Sequence, residues 1–270
     1  MKNFRIPVFL FLLVLSWLSL HGCLLADDVD NFDFKLPDKV FEIDAADLGV
    51  SSSTTISCSD AVDTCASVDP GLTCDKQAGV CVLGEDARFP AVDCSGEDVC
   101  ASFGDAVTCE TGQCHATTAI QLSASVDLAE EVPELKDVGS LSFTKVSLET
   151  LYVDVQINSF GIEVPAMDLY VADNSVAQVD LDGSGNVTTQ GVFHVGVLPA
   201  IPANQTGRFD VILSSDGRAS LTDRMKTPSV PFKLFVVGRI EIGPGDPLPD
   251  LGSGHLKAVV SGTASAELAR

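Results

Sequence analysis

The cysteines of this chain constrain its fold more than any other feature. Eight of the nine lie between Cys58 and Cys114, and the ninth is Cys23. The eight form two repeats that keep eight residues between their second and third cysteines: Cys58, Cys65, Cys74 and Cys81, then Cys94, Cys100, Cys109 and Cys114. Segments this short bury too little apolar surface to be stable alone, so we expect covalent cross-links to replace packing.

The even cysteine count and the duplicated spacing predict four disulfides. The flanks repeat as well, since Cys65-Ala66-Ser67 matches Cys100-Ala101-Ser102. If the bonds stay within each repeat, three pairings per repeat remain open, and first-to-third with second-to-fourth is the preferred one. Metal ligation by the same thiolates is the alternative. It is disfavoured because zinc sites usually present Cys-x-x-Cys knuckles, and the sequence has none.

Alternating apolar and polar residues predict strands from Thr118 onward. Ile120, Leu122, Ala124, Val126 and Leu128 begin the pattern. Further strands are predicted at 141–146, 151–157, 162–171, 187–198, 207–213, 231–242 and 255–268, with a short helix at 219–225 and a surface loop at 243–254. The predicted fold class is therefore mainly β, an antiparallel β-sandwich with a small disulfide-rich module inserted into it or preceding it.

Two short strands are predicted upstream of the cysteines. Phe32, Phe34 and Leu36 alternate with polar residues, and 40–43 is a second apolar run. An isolated hairpin of this size is marginal, so we expect both strands to pair with the later β domain. The alternative is a disordered acidic tether reaching residue 57. The chain is therefore predicted to divide into an N-terminal segment at 1–22, a segment at 23–57 that holds the two short strands, the two cysteine repeats at 58–114, and the sandwich at 115–270.

The N-terminus carries a targeting pattern. Lys2 and Arg5 precede an apolar stretch at 6–20, and Leu20-His21-Gly22-Cys23 follows. This resembles the type II signal peptide and lipobox of bacterial lipoproteins. The resemblance implies cleavage after residue 22, acylation of Cys23 with palmitate-like chains, and anchoring in the outer membrane of the cell envelope, because Leu24 rather than Asp follows the cysteine. A transmembrane span is the alternative, but the apolar run is short and interrupted by polar residues.

Charge and composition exclude several functions. The chain has 38 acidic and 16 basic residues and a net charge of −22, which repels a phosphate backbone, so no nucleic-acid partner is expected. Beyond the signal region, the histidines are His115, His194 and His255, and none lies at metal-ligand spacing or beside a nucleophile motif. We therefore predict no catalytic residues and no enzyme.

One segment matches the opening of a calcium loop. Asp180, Asp182 and Ser184 stand at the first, third and fifth positions, with a glycine at the sixth. Gly191 occupies the twelfth position, where such loops carry a bidentate glutamate. Asp-Gly and Ser-Gly are also good hairpin residues, so a plain turn is the alternative. Calcium is the one cofactor that the sequence suggests.

Two further resemblances concern the domains. The stretch from about 138 to 268 resembles the type 2 late-embryogenesis-abundant domain, with Val153-Asp154-Val155-Gln156-Ile157-Asn158 as its strand motif, a loop at 198–203 and a helix at 221–225. Ser159 stands where that family has proline. The cysteine repeats resemble small exported modules of the Dickkopf or epidermal-growth-factor-like kind. These resemblances imply binding or stress protection rather than catalysis; an immunoglobulin-like sandwich and a lipid-carrying tubular fold are the alternative folds.

The expected function is therefore a membrane-anchored, non-catalytic interaction or structural module. Its expected partners are the lipid membrane, through acylated Cys23, and an envelope or extracellular protein. The alternative is a carrier or sensor of a hydrophobic ligand, which requires an interior larger than side chains can fill.

Overall fold

The computed structural model describes residues 31–51, 53–59, 64–83, 88–95, 99–136, 142–182, 186–249 and 253–268. Cys23 and the rest of residues 1–30 lie outside the described residues. None of the described helices has the length and apolar character needed to cross a membrane. The described strands are β1 Asn31–Lys35, β2 Lys39–Asp44, β3 Ser53–Ser57, β4 Leu72–Asp75, β5 Val80–Leu83, β6 Val107–Glu110, β7 Gln113–Val126, β8 Phe143–Asn158, β9 Met167–Asp173, β10 Phe193–Leu198, β11 Gly207–Asp210, β12 Ile212–Leu213, β13 Phe232–Ile242 and β14 His255–Leu268. The α-helices are α1 Thr64–Val68, α2 Leu128–Glu131 and α3 Ser215–Met225.

A five-stranded antiparallel sheet has the order β1-β14-β8-β11, with β2 also paired to β14. β1 and β2 lie end to end along one edge of β14, from the pair Asn31 and Glu267 to the pair Asp44 and His255. The backbone N–H of Leu36 donates to Gly262 across the break between them. This pairing confirms that the two upstream strands belong to the later β domain.

A six-stranded antiparallel sheet has the order β12-β10-β9-β13-β7-β6. β7 and β13 pair over eleven positions, from Ala116 and Ile242 to Val126 and Phe232. β7 spans the position between Cys114 and His115 at which the sequence analysis divides the repeats from the sandwich. The second cysteine repeat therefore continues directly into this sheet, without a linker.

The two sheets pack face to face around one apolar core. Alternation decides which side chains enter it: along β8, Val153 and Val155 are buried, whereas Asp154 between them is partly exposed. The rings of Phe34 and Phe143, from β1 and β8, lie 6.4 Å apart. The predicted fold class, an antiparallel β-sandwich with a disulfide-rich module, is confirmed.

Some predicted element boundaries are wrong. The separate strands at 141–146 and 151–157 form one strand, β8, of 16 residues. The polar residues between them, such as Glu149, face outward from a continuous strand and do not mark a turn. The strand predicted at 207–213 divides at Val211, because β11 pairs with β8 in one sheet and β12 pairs with β10 in the other.

Helix α3 begins earlier than the predicted 219–225. The Ser214 hydroxyl caps it by accepting the backbone N–H of Gly217 at 2.9 Å. Gly217 lies directly against β10, where a Cβ atom would overlap the carbonyl oxygen of Val195. The third residue of the helix therefore has to be glycine for the helix to pack this closely.

Candidate functional site

The disulfide module, residues 58–114, contains the four expected disulfides. They join Cys58 to Cys74, Cys65 to Cys81, Cys94 to Cys109 and Cys100 to Cys114, with Cα separations between 5.3 and 5.9 Å. Both repeats pair first to third and second to fourth, the preferred pairing of the three. In each repeat, three cysteine sulfurs lie within 4.8 Å of one another, a distance that would also suit metal ligands. Cysteines bonded in disulfides, however, offer no thiolate to a metal. The proximity reflects two neighbouring disulfides in each repeat.

The two repeats are built differently. In the first, β3, β5 and β4 form a separate three-stranded sheet, and the buried Thr54 hydroxyl donates to the Cys81 carbonyl at 3.0 Å. In the second, the β6–β7 hairpin sets Cys109 opposite Cys114 and belongs to the six-stranded sheet. Phe89, in the segment between the repeats, packs against Phe103 of the second repeat, with the two ring centres 6.4 Å apart.

The disulfide module and the start of β1 lie at opposite ends of the sandwich. β14 runs from His255, beside Asp44, to the residues beside Asn31. A strand of 14 residues is about 45 Å long at 3.3 Å per residue. After Asp44 the chain continues through residues 45–57 into the module, and at this end the Thr118 hydroxyl, in β7 just past the module, donates to the Leu48 carbonyl. We call these the module end and the Asn31 end.

The disulfide module is strongly acidic. Residues 58–114 include eleven acidic residues and two basic ones, Lys76 and Arg88. The Arg88 guanidinium donates to the Gly245 carbonyl at 2.7 Å and ties the module to the 243–249 loop. Among the residues that the structure describes, Asp93, Asp105 and Glu110 are exposed, so the disulfide module carries a net negative charge on a covalently braced frame.

Side chains from both sheets pack closely in the part of the interior that the described residues line. A cavity of about 10 Å³ lies there, which is close to the space that one water molecule needs. Its lining residues are Leu36, Pro37, Val126, Leu151, Leu221, Phe232, Leu234, Val260 and Ser261. A pocket for an acyl chain or another drug-sized ligand measures several hundred Å³, so this cavity is far too small for one.

The calcium-like segment has the hydrogen bonds of a turn. The Asp180 carboxylate accepts from Gln178 Nε2 at 2.6 Å, and the Asp182 carboxylate accepts the backbone N–H of Asn186 at 2.9 Å. An isolated bridge between Leu181 and Val187 closes the turn. Ser184, the third predicted ligand, lies outside the described residues. The hairpin alternative accounts for both described carboxylates, and calcium at this site stays a prediction.

A histidine–aspartate pair that no sequence motif indicates lies on the outer face of the six-stranded sheet. His194 Nε2 is 2.9 Å from the Asp168 carboxylate, and the His194 ring stands edge-on to Tyr170 at 5.3 Å. Burial, and secondly the charge of Asp168, raises the pKa of the Tyr170 phenol above its usual range. The described contacts of this group include no nucleophile and no further metal ligand. The alternation of Asp168 and Tyr170 in β9 indicates that the two side chains share one face of the strand. It does not indicate the contact with His194, which is 26 residues away from Asp168 in the sequence.

The other two histidines have structural surroundings. His255 Nδ1 lies 2.6 Å from the Asp44 carboxylate, where β14 and β2 end together. The His115 ring lies beside Gly243, at the start of the loop that covers the disulfide module. The structure therefore does not bring the three histidines together.

No family model and no curated protein matches this chain. Among solved structures, one of desmodium yellow mottle tymovirus is 14% identical over 58% of this chain and 82% of that chain, with a TM-score of 0.25. Turnip yellow mosaic virus is 13% identical with the same coverage and a TM-score of 0.26. A marine algae virus of the order Picornavirales is 12% identical over 90% of this chain and 95% of that chain, with a TM-score of 0.22. Likenesses this distant carry no argument about what the chain does.

Proposed function

We propose that this protein is an envelope lipoprotein, anchored in the outer membrane through acylated Cys23, which presents its disulfide module to a protein partner and catalyses no reaction. One observation carries the proposal. The chain enters the sandwich at Asn31, and the module lies at the opposite end of β14, about 45 Å away. An anchor attached shortly before β1 would hold the module away from the bilayer.

The rigidity of the module supports an interaction role. Four disulfides brace it, and β7 joins it to the sandwich as a continuous strand. A surface that is ordered before it meets its partner loses less conformational entropy on binding. The module thus has the properties of a preorganised binding surface.

The charge of the module indicates the chemistry of the partner. With eleven acidic residues against two basic ones, it repels acidic proteins and accelerates encounters with a basic surface. We therefore propose a protein partner with a cationic face. The cavity that described residues line between the sheets, about 10 Å³, is too small to support the carrier alternative.

Anchoring is tested by expressing the full chain with its own signal region in a diderm bacterium fed an alkyne-palmitate. The expected result is a labelled chain in the outer-membrane fraction, with a mass that fits acylation at Cys23. Cys23→Ala is expected to abolish the label, and Cys58→Ala, at a cysteine engaged in a disulfide, is the matched control that keeps it. An unlabelled, unprocessed chain would overturn the lipoprotein proposal.

The interaction role is tested by photo-cross-linking in the same cells. A photoreactive residue replaces Glu110 in the module or, as the control, Asp210 in β11; both side chains are exposed. The expected result is a discrete cross-linked product from position 110 that weakens as ionic strength rises. Equal products from both positions, or none from position 110, would contradict the role assigned to the module.

A further inference from the structure

An open groove of about 620 Å³ lies along the outer side of α3. Its lining residues are Phe193, Ala219, Ser220, Thr222, Asp223, Arg224 and Lys226. Phe193 is 46% exposed, and the Arg224 guanidinium lies 5.6 Å from the centre of its ring. The groove therefore combines an exposed aromatic ring with two cations on a chain of net charge −22.

The charges of the groove balance locally. Arg224 forms an ion pair with Asp173 and also donates to the Gly191 carbonyl at 3.2 Å. Lys226 Nζ lies 3.0 Å from the Asp223 carboxylate. The groove is thus close to neutral, unlike the acidic module end, and approaches a phosphate-bearing surface without the repulsion that the rest of the chain would meet.

The groove lies near the point where the chain enters the sandwich. At the Asn31 end, Asn31 is opposite Glu267, and Leu268 is opposite Phe143 in the next strand. The backbone N–H of Phe143 then donates to the Lys226 carbonyl at 2.7 Å. Neighbouring strands are about 4.8 Å apart, so Lys226 lies roughly 15 Å from Asn31.

The chain between Cys23 and Asn31 is short. Eight residue steps separate the two Cα atoms, and a fully extended chain of that length spans at most about 29 Å. If Cys23 is acylated, the Asn31 end must stay within that distance of the bilayer. Val230 adds a second apolar side chain at this end and is 57% exposed. It lies in the turn that follows Lys226, in which the Val230 backbone N–H donates to the Thr227 carbonyl.

From this geometry we infer that the groove of Phe193, Arg224 and Lys226 is a contact surface for lipid headgroups, and that the anchored sandwich stands on it with the disulfide module pointing away. This inference rests on the lipid anchor of the proposed function. Aromatic rings are stable at the level of the headgroups, and Lys226, whose side chain is 41% exposed, can extend its ammonium toward phosphates from such a position. Arg224, paired with Asp173, lies beside the Phe193 ring. The proposed occupant of the groove is a bilayer surface and not a protein.

The chain offers a clean reporter for this contact. Its one tryptophan is Trp17, in the predicted signal peptide, so a chain that starts at Cys23 has none. Phe193→Trp therefore places a single tryptophan in the groove. Ile157→Trp is the matched control, because Ile157 is an apolar strand residue that is 44% exposed and pairs with Lys257 at the module end.

With four disulfides formed, Cys23 is the single free thiol of this chain and can be coupled to a maleimide-bearing lipid in vesicles of brominated phosphatidylcholine. We expect quenching of the tryptophan at position 193 to be at least about twofold stronger than at position 157, because only a ring at the headgroup level comes close to the brominated lipid. Adding Lys226→Glu to Phe193→Trp is expected to reduce that quenching. Equal quenching at both positions, or no effect of the added charge, would overturn the inference.

The two proposals fail separately in this design. Chemical coupling sets the anchor whether or not a cell acylates Cys23, so the vesicle experiment reports only the orientation. Absence of the palmitate label in cells overturns the lipoprotein proposal, whereas weak quenching at position 193 overturns the headgroup contact alone. Unchanged thermal unfolding of both tryptophan variants shows that the reporters leave the fold intact.

Discussion

Removing the disulfides of one repeat at a time is expected to have unequal consequences. Among the described strands, β3, β4 and β5 around the first repeat pair only with one another, whereas β7 of the second repeat pairs with β13 over eleven positions. One variant carries Cys→Ser at Cys58, Cys65, Cys74 and Cys81; the matched variant carries it at Cys94, Cys100, Cys109 and Cys114. We expect the first variant to lose its three-stranded sheet and the second to keep β7.

The expected loss of stability follows from the number of residues in the loop that each disulfide closes. Each disulfide of the first repeat joins residues 16 apart, which corresponds to about 3 kcal/mol of loop entropy in the unfolded segment. The two loops overlap, so the pair contributes about 5 kcal/mol together. Three strands of four or five residues cannot replace that amount, because so small a sheet is marginal by itself.

Hydrogen exchange followed by mass spectrometry measures both repeats in one experiment. Peptides from 72–83 are expected to exchange at unprotected rates in the first variant, while peptides from 116–126 stay protected in both. The thermal midpoint of the sandwich is expected to change little in the first variant. Persistent protection of 72–83 without its disulfides, or joint loss of the sandwich, would refute the reasoning.

Three further predictions concern the sandwich. Gly217→Ala is expected to lower the free energy of unfolding by about 1–3 kcal/mol in urea, because the added Cβ overlaps the Val195 carbonyl; an unchanged midpoint would contradict this. Asn158→Ala is expected to cost about 2–3 kcal/mol, since this 7%-exposed amide donates to two loop carbonyls at 3.1 and 3.0 Å; the same urea titration measures it, and a loss well below about 1 kcal/mol would speak against it. The Tyr170 phenol, whose pKa is raised by burial, is expected to ionise above pH 10, so stability falls as the pH rises past 10, where the unfolded chain releases this proton first. Tyrosinate absorbance with Tyr170→Phe as the reference checks it, and ionisation at or below pH 10 would disprove it.

The alternation of apolar and polar residues and the spacing of the cysteines were enough to predict most of the fold. The alternation of Val153, Val155 and Ile157 placed a strand correctly, and the duplicated cysteine spacing predicted both the bonds and their preferred pairing. The phenylalanine alternation before the cysteines also indicated strands that need a distant partner. These features are local in sequence, or repeat at a fixed spacing, and so can be read without knowing which strands are neighbours.

Features that depend on strand neighbours could not be read. The exchange of sheets at Val211 follows from which strands flank it and leaves no mark in the pattern of 207–213. The pair of His194 and Asp168 depends on the register of β10 and β9, which a bulge shifts after His194. The groove joins Phe193 to residues of α3, and no sequence pattern links these two segments.

The position of β14 in the five-stranded sheet sets the order in which that sheet can form. β1, β2 and β8 all pair with β14, and the side chains of Asp38 and Ser261 hydrogen-bond across 223 residues of chain. Contacts between residues so far apart in sequence lose loop-closure entropy before the strand hydrogen bonds that offset this loss have formed. They therefore form late and slowly. Until residues 255–268 join, β1, β2 and β8 have open edges that can pair with other chains. Refolding from denaturant should therefore be concentration-dependent in yield, and a peptide with the sequence of β14 should bind the incomplete sheet and suppress that loss.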